Sequence, residues 1–146
     1  MGCALPGWRF LAETELAEGH VGVAREIAEN ALRLAVSPSV QNHYERFMLT
    51  NTLSRCLIAS GDTAAAGKML EAQWPEVVKT GFMPIVAQTA TCIAELYKKL
   101  AIQTPSEASK KHLVRSVQFF QKAQGMWLDM GNKHQVNLVR EATPKI

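Results

Sequence analysis

Apolar residues recur at intervals of three and four along nearly the whole chain, the period of an α-helix resting on a core. Trp8, Leu11, Ala12 and Leu16 open the pattern over about residues 6–18, and Pro6 suits a first helical turn, where its missing N–H is no loss. Val23, Ile27, Ala31 and Leu34 carry it over about 21–36, with Ala24, Ala28 and Ala35 widening the same face. Tyr44, Phe47, Met48, Leu53, Leu57 and Ile58 predict a third helix over about 40–59. Ala66, Met69, Leu70, Trp74, Val77 and Val78 predict a fourth over about 63–80, with Pro75 inside it as a kink or an absorbed bend. A fifth spans about 84–101, through Ile85, Thr89, Ile93, Leu96, Tyr97 and Leu100. Leu113, Val117, Phe120, Ala123, Trp127 and Met130 mark a sixth, ending near 130, and a short seventh covers about 133–140. No run alternates apolar and polar residues, and no Asn-Gly or Asp-Gly hairpin turn occurs.

The breaks between these stretches are themselves periodic. Gly19, Gly61 and Thr104-Pro105 lie about 42 residues apart, a spacing that marks repeated helical units. Ser37-Pro38, Gly81 and Gly131 fall between them. Proline at 38 stops the second helix because the residue before a proline avoids helical geometry. Gly61 followed by Asp62 reads as a C-terminal cap and the next N-cap. Thr104-Pro105-Ser106-Glu107 reads as a capping box. The expected architecture is all-α: one continuous array over 1–146, with hairpins at about 6–36, 40–80 and 84–130 and a terminal helix at about 132–142.

Composition narrows the function classes. Apolar residues at 47% and charged residues at 20% exclude a disordered chain. The net charge of +3 hides an asymmetry: residues 1–97 hold 7 Lys/Arg and 10 Asp/Glu, residues 98–146 hold 9 and 3. A basic end could meet an acidic partner, while nucleic acid is not expected, because no aromatics interleave with the basic residues in a stacking pattern. Cys3, Cys56 and Cys92 form no CxxC pair, so neither a disulfide framework nor zinc is indicated, and a reducing compartment, nucleus or cytoplasm, is expected. No secretory leader, membrane span or glycosylation sequon is read, and Pro6 breaks the myristoylation pattern that Met1-Gly2-Cys3 begins.

The first hairpin resembles the tetratricopeptide repeat. Trp8, Leu11 and Ala12 stand where that pattern has an aromatic, Leu and a small residue, and Ala24 and Ala31 where it has two alanines. Glu15 and Ala28 depart from it; Leu53, Ser54, Ala66 and Leu70 keep parts of it in the second hairpin, where Thr50 lacks the aromatic. The resemblance implies a right-handed superhelix of antiparallel helix hairpins. Residues 65–139 are similar to the C-terminal part of the anaphase-promoting complex subunit 5 family. The features that carry this are Lys68-Met69-Leu70-Glu71, the segment from Trp74-Pro75-Glu76 to Thr80-Gly81, then Ser109-Lys110-Lys111, Leu113, Ser116-Val117, Ala123 and Trp127. That resemblance implies a scaffold subunit of a ubiquitin ligase acting in cell division, and no catalytic role.

Reactive constellations are not evident. His20, His43, His112 and His134 show no metal-ligand spacing with one another on a helix face, and no phosphate loop, nucleophile elbow or HExxH occurs. Glu13, Glu15 and Glu18 read as solvated charge, Trp8, Trp74 and Trp127 as core anchors. Lys110, Lys111, His112, Arg115 and Lys122 form a basic group along the sixth helix. Carried onto this chain, the groove positions of tetratricopeptide proteins are Arg9 and Glu13, Asn51 and Arg55, Thr91 and Lys98, a set suited to an acidic peptide segment. The expected function is a non-enzymatic interaction scaffold within a multi-subunit protein complex, without cofactor or metal. The alternative is a peptide-binding regulatory repeat domain of a larger sensor or transcriptional regulator.

Overall fold

A computed structural model describes residues 4–104 and 107–145. Cys3 and residues 105 and 106 of the expected capping box lie outside them. The described residues form seven α-helices and no strand: α1 (Ala4–Ala17), α2 (Val21–Ala35), α3 (His43–Ala59), α4 (Thr63–Thr80), α5 (Met83–Gln103), α6 (Glu107–Asp129) and α7 (Lys133–Ala142). The expected all-α class holds, and the helix limits agree to within a few residues. The largest shift is at α3, expected from about 40. Gln41 takes a positive φ of 44°, outside helical geometry, and Asn42 then accepts the Glu45 N–H at 3.0 Å as N-cap, so the helix begins at His43. α4 runs on through Pro75.

Three connections share one design. At Gly19, Gly61 and Gly131 the backbone turns left-handed, with φ of 86°, 89° and 72°. The glycine N–H returns to the carbonyl three residues back, and the next N–H to the carbonyl five back: His20 to Glu15 and Asp62 to Leu57 at 2.8 Å, Asn132 to Trp127 at 2.9 Å. This closes the orphan carbonyls of the finished helix within two residues. The residue after the glycine then starts the next helix. Asp62 accepts the Ala65 N–H at 3.3 Å and Asn132 the Gln135 N–H at 3.1 Å, whereas His20 makes no side-chain cap.

The packing groups the chain into two compact units, Met1–Met69 and Leu70–Ile146, with the division inside α4. In the first unit α1 packs on α2 and α3, and α2 on α3. Ala24, Ala28, Ala31 and Ala35 make one buried stripe down α2. Leu5 of α1 and Leu49 of α3 meet the lower half of that stripe, and each fully buried leucine contributes about 1.5–3 kcal/mol. In the second unit α6 packs on α5 and α7. There Phe120, Ala123 and Trp127 of α6 lie against Ala87, Ala90 and Ala94 of α5 and Val136 and Val139 of α7. Ser116 donates to the Ala94 carbonyl at 2.8 Å across the same contact.

Trp127 is a core anchor as expected, and Trp74 packs against that core half-buried. Trp8 is not: it is 46% exposed, and Leu11 is 43% exposed. Ala12 of that stripe is fully buried as expected, together with Leu5, so the covered face of α1 is rotated by roughly 30° from the stripe the spacing suggests. Tyr44, at 42%, and Met130, at 36%, likewise face out. No helix among the described residues is long and apolar enough to cross a membrane.

Candidate functional site

The six expected groove positions divide between the units: Arg9, Glu13, Asn51 and Arg55 in the first, Thr91 and Lys98 in the second. Contact between α1 and α3 brings Arg9 and Glu13 onto α3. Arg9 forks onto Glu45, with Nε 2.8 Å from Oε2 and Nη2 3.2 Å from Oε1. Its Nη1 lies 3.7 Å from Glu13 Oε1, and Thr52 Oγ1 donates to that same carboxylate at 3.2 Å. Glu45 is only 3% exposed. A carboxylate at that depth must be matched by a fixed cation, and the planar guanidinium fork matches both oxygens. The hydrogen bond to Glu45 raises the Arg9 pKa and outweighs burial, which lowers it; the charges of Glu45 and Glu13 add to the rise.

Arg9 is thus turned into its unit, while Glu13 keeps more exposure. Asn51 and Thr91 are buried, and Thr91 donates to the Ala87 carbonyl at 2.9 Å. Arg55 is half-buried. Lys98, also half-buried, donates from Nζ to the Ala142 carbonyl at 2.7 Å, where the carbonyl end of α7 favours a cation. Sequence spacing did not reveal Glu45, which lies 36 residues from Arg9. Its one visible signal, a carboxylate in the first turn of α3, reads as an ordinary helix-start acid.

A second grouping also escaped the sequence. Glu15, Glu18 and His20 bring their potential ligand atoms within 4.8 Å of one another across the Gly19 turn. His20 Nδ1 stands 2.7 Å from Glu15 Oε2 and 3.7 Å from Glu18 Oε2. A same-helix spacing rule misses them because the turn lies between. Glu18 and His20 are exposed and Glu15 is half-buried.

The basic group of α6 is placed over aromatic rings. Arg115 sits 5.3 Å from the Tyr97 ring centre, and His112 stacks on that ring at 5.9 Å. Lys122 Nζ is 5.7 Å from the Trp74 ring and 5.2 Å from that of Phe119. The rings also meet each other, Trp74 edge-on to Phe119 at 5.5 Å and Tyr97 stacked on Phe119 at 6.3 Å. Cation–ring attraction fixes these charges on one side of α6. Cys56 and Cys92 are buried and form no disulfide with each other. Burial pushes the Cys56 thiol up to about 11, so it stays protonated and weakly nucleophilic near neutral pH.

No family model and no curated protein matches this chain.

Proposed function

We propose that the chain is a non-enzymatic scaffold that holds other proteins in a multi-subunit complex. The observation that carries this reading is the packing of α1, α2 and α3 as consecutive neighbours, α1 joined to α2 by the short Gly19 turn and α2 to α3 by the loop over residues 36–42. Helical hairpins built this way bury one face against the next and leave rows of side chains free for partners. The apolar residues exposed around α1, Phe10 at 71% and Trp8 and Leu11 at 46% and 43%, add surface of the kind proteins cover with one another.

The reading is tested by affinity capture with the full chain, followed by mass spectrometry. A defined set of partners in near-stoichiometric amounts is expected, and a chain that elutes alone at every salt concentration overturns it. Recovery of ubiquitin-ligase subunits is the outcome that the resemblance of residues 65–139 to the anaphase-promoting complex subunit 5 family leads one to expect.

A further inference from the structure

A half-open hollow of about 220 Å³ lies within the second unit. Trp74, Tyr97 and Phe119 line it, with aliphatic side chains that include Leu70 and Leu96. Its volume is below the range of about 300–1,000 Å³ usual for small-molecule sites, and suits one large side chain. Two charged residues line it, Glu71 and Arg115, and Lys122 stands just beyond, over Trp74 and Phe119. Two fixed cations therefore face one carboxylate, with His112 on Tyr97 as a further base nearby. Pro75 also lines the hollow, and it has no N–H to give the Glu71 carbonyl one helical turn back. The border thus sets a positive rim beside an apolar hole.

We propose that this hollow docks an acidic peptide segment of a partner protein, inserting one bulky apolar side chain; the proposal rests on the scaffold reading above. The apolar side chain fills the hole that Trp74, Phe119, Leu70 and Leu96 line. Flanking carboxylates meet Arg115 and Lys122. Three aromatic rings could suggest a cage for a quaternary ammonium. Arg115 and Lys122 already cover ring faces, however, so a further cation would be repelled. Nucleobases are disfavoured by the same occupancy, since Tyr97 and Phe119 stack on each other and leave no open slot.

The test uses fluorescence anisotropy of the full chain with a fluorescein-labelled Asp-Glu-Phe-Glu-Asp peptide. Its controls are the peptide with alanine in place of phenylalanine, the peptide with lysines in place of the acids, and a decamer of uridylate. The acidic phenylalanine peptide is expected to bind, at least tenfold more tightly than either peptide control, and more weakly as salt is raised. Arg115→Glu, at an exposed position, should weaken it about tenfold or more. Glu71→Lys should tighten it about threefold, a gain that no folding defect can imitate. Equal binding of the alanine peptide, no change on Arg115→Glu, or preference for the oligonucleotide overturns the proposal. If no peptide binds while the chain still captures its partners, and Arg115→Glu leaves that capture intact, the hollow fails and the scaffold reading stands. If the acidic peptide binds but nothing is captured, the scaffold reading fails and the hollow stands.

Discussion

The two units solve one packing problem with the same device, a small-residue face set against bulky side chains, and differ in what those side chains are. In the first, the small residues sit on α2, and the alanine stripe faces leucines from its neighbours. In the second, the small residues sit on α5, and α6 brings Phe120 and Trp127 down onto them. Their polar chemistry differs too. The first unit holds the charged pair of Arg9 and Glu45, the second a set of neutral hydrogen bonds such as Ser116 to Ala94. Small faces permit close helix approach and tolerate no enlargement; large rings fill volume and tolerate no truncation. Each unit should therefore fail under enlargement of its small face and under truncation of its large partners, with the rings of the second unit costing the most to remove.

The largest effect is expected from Phe120→Ala, which empties a fully buried ring site between α5 and α7. The cost should be about 3–5 kcal/mol in urea unfolding. Trp127→Phe sharpens the point. The buried Trp127 Nε1 has no acceptor among the described residues, so losing it relieves a desolvated donor. That gain offsets part of the lost volume, and the change should stay within about 1 kcal/mol of wild type.

Glu45→Ala should cost about 2–3 kcal/mol, because it leaves the part-buried Arg9 guanidinium with only the longer Glu13 contact. This is below the loss for a fully buried pair, since Arg9 keeps 19% exposure. Removing both charges, as Arg9→Met with Glu45→Leu, should recover most of that loss. If the double variant is as unstable as the single one, the buried Arg9–Glu45 pair is not separable from its surroundings as the ionic element that distinguishes the first unit.

Ala28→Leu probes the small face directly. Ala28 is fully buried in the middle of its stripe, so three added carbons have no room and the cost should be about 1–3 kcal/mol. An unchanged melting temperature would show that α2 has slack, and the contrast between the units would reduce to composition.

How far this was legible in the sequence follows from what a period can encode. The spacing of Phe120, Ala123 and Trp127 marked the buried stripe of α6, and the alanines marked that of α2, because both depend only on one helix and its own 3.6-residue turn. Trp8 went the other way. Its helix carries apolar residues over a wide arc, Phe10 and Leu11 included, and the arc alone does not say which part the neighbours cover. The Arg9–Glu45 fork, the Glu15–Glu18–His20 grouping and the ring cluster around Phe119 share a cause. Each joins residues across a turn or between helices, and the crossing geometry that brings them together is not written in any local spacing. The basic residues of α6 were visible as a group, but their placement over Trp74 and Tyr97 was not.

The smallest expected effects concern the turns, where the units are most alike. Gly19 and Gly131 hold φ of 86° and 72°, and a Cβ at either would meet nothing within 4 Å. Alanine at either position should therefore cost the same, about 1–2 kcal/mol, all of it from left-handed backbone. The following residues should separate the units again. Asn132→Ala removes an oxygen that accepts the Gln135 N–H and should cost about 1 kcal/mol. His20→Ala removes no cap and should leave stability nearly unchanged, because the side chain reaches back to Glu15 in solvent instead. Equal losses at His20 and Asn132 in thermal unfolding would mean that the two turns terminate their helices by the same means after all, and that the units differ only in how their cores are filled.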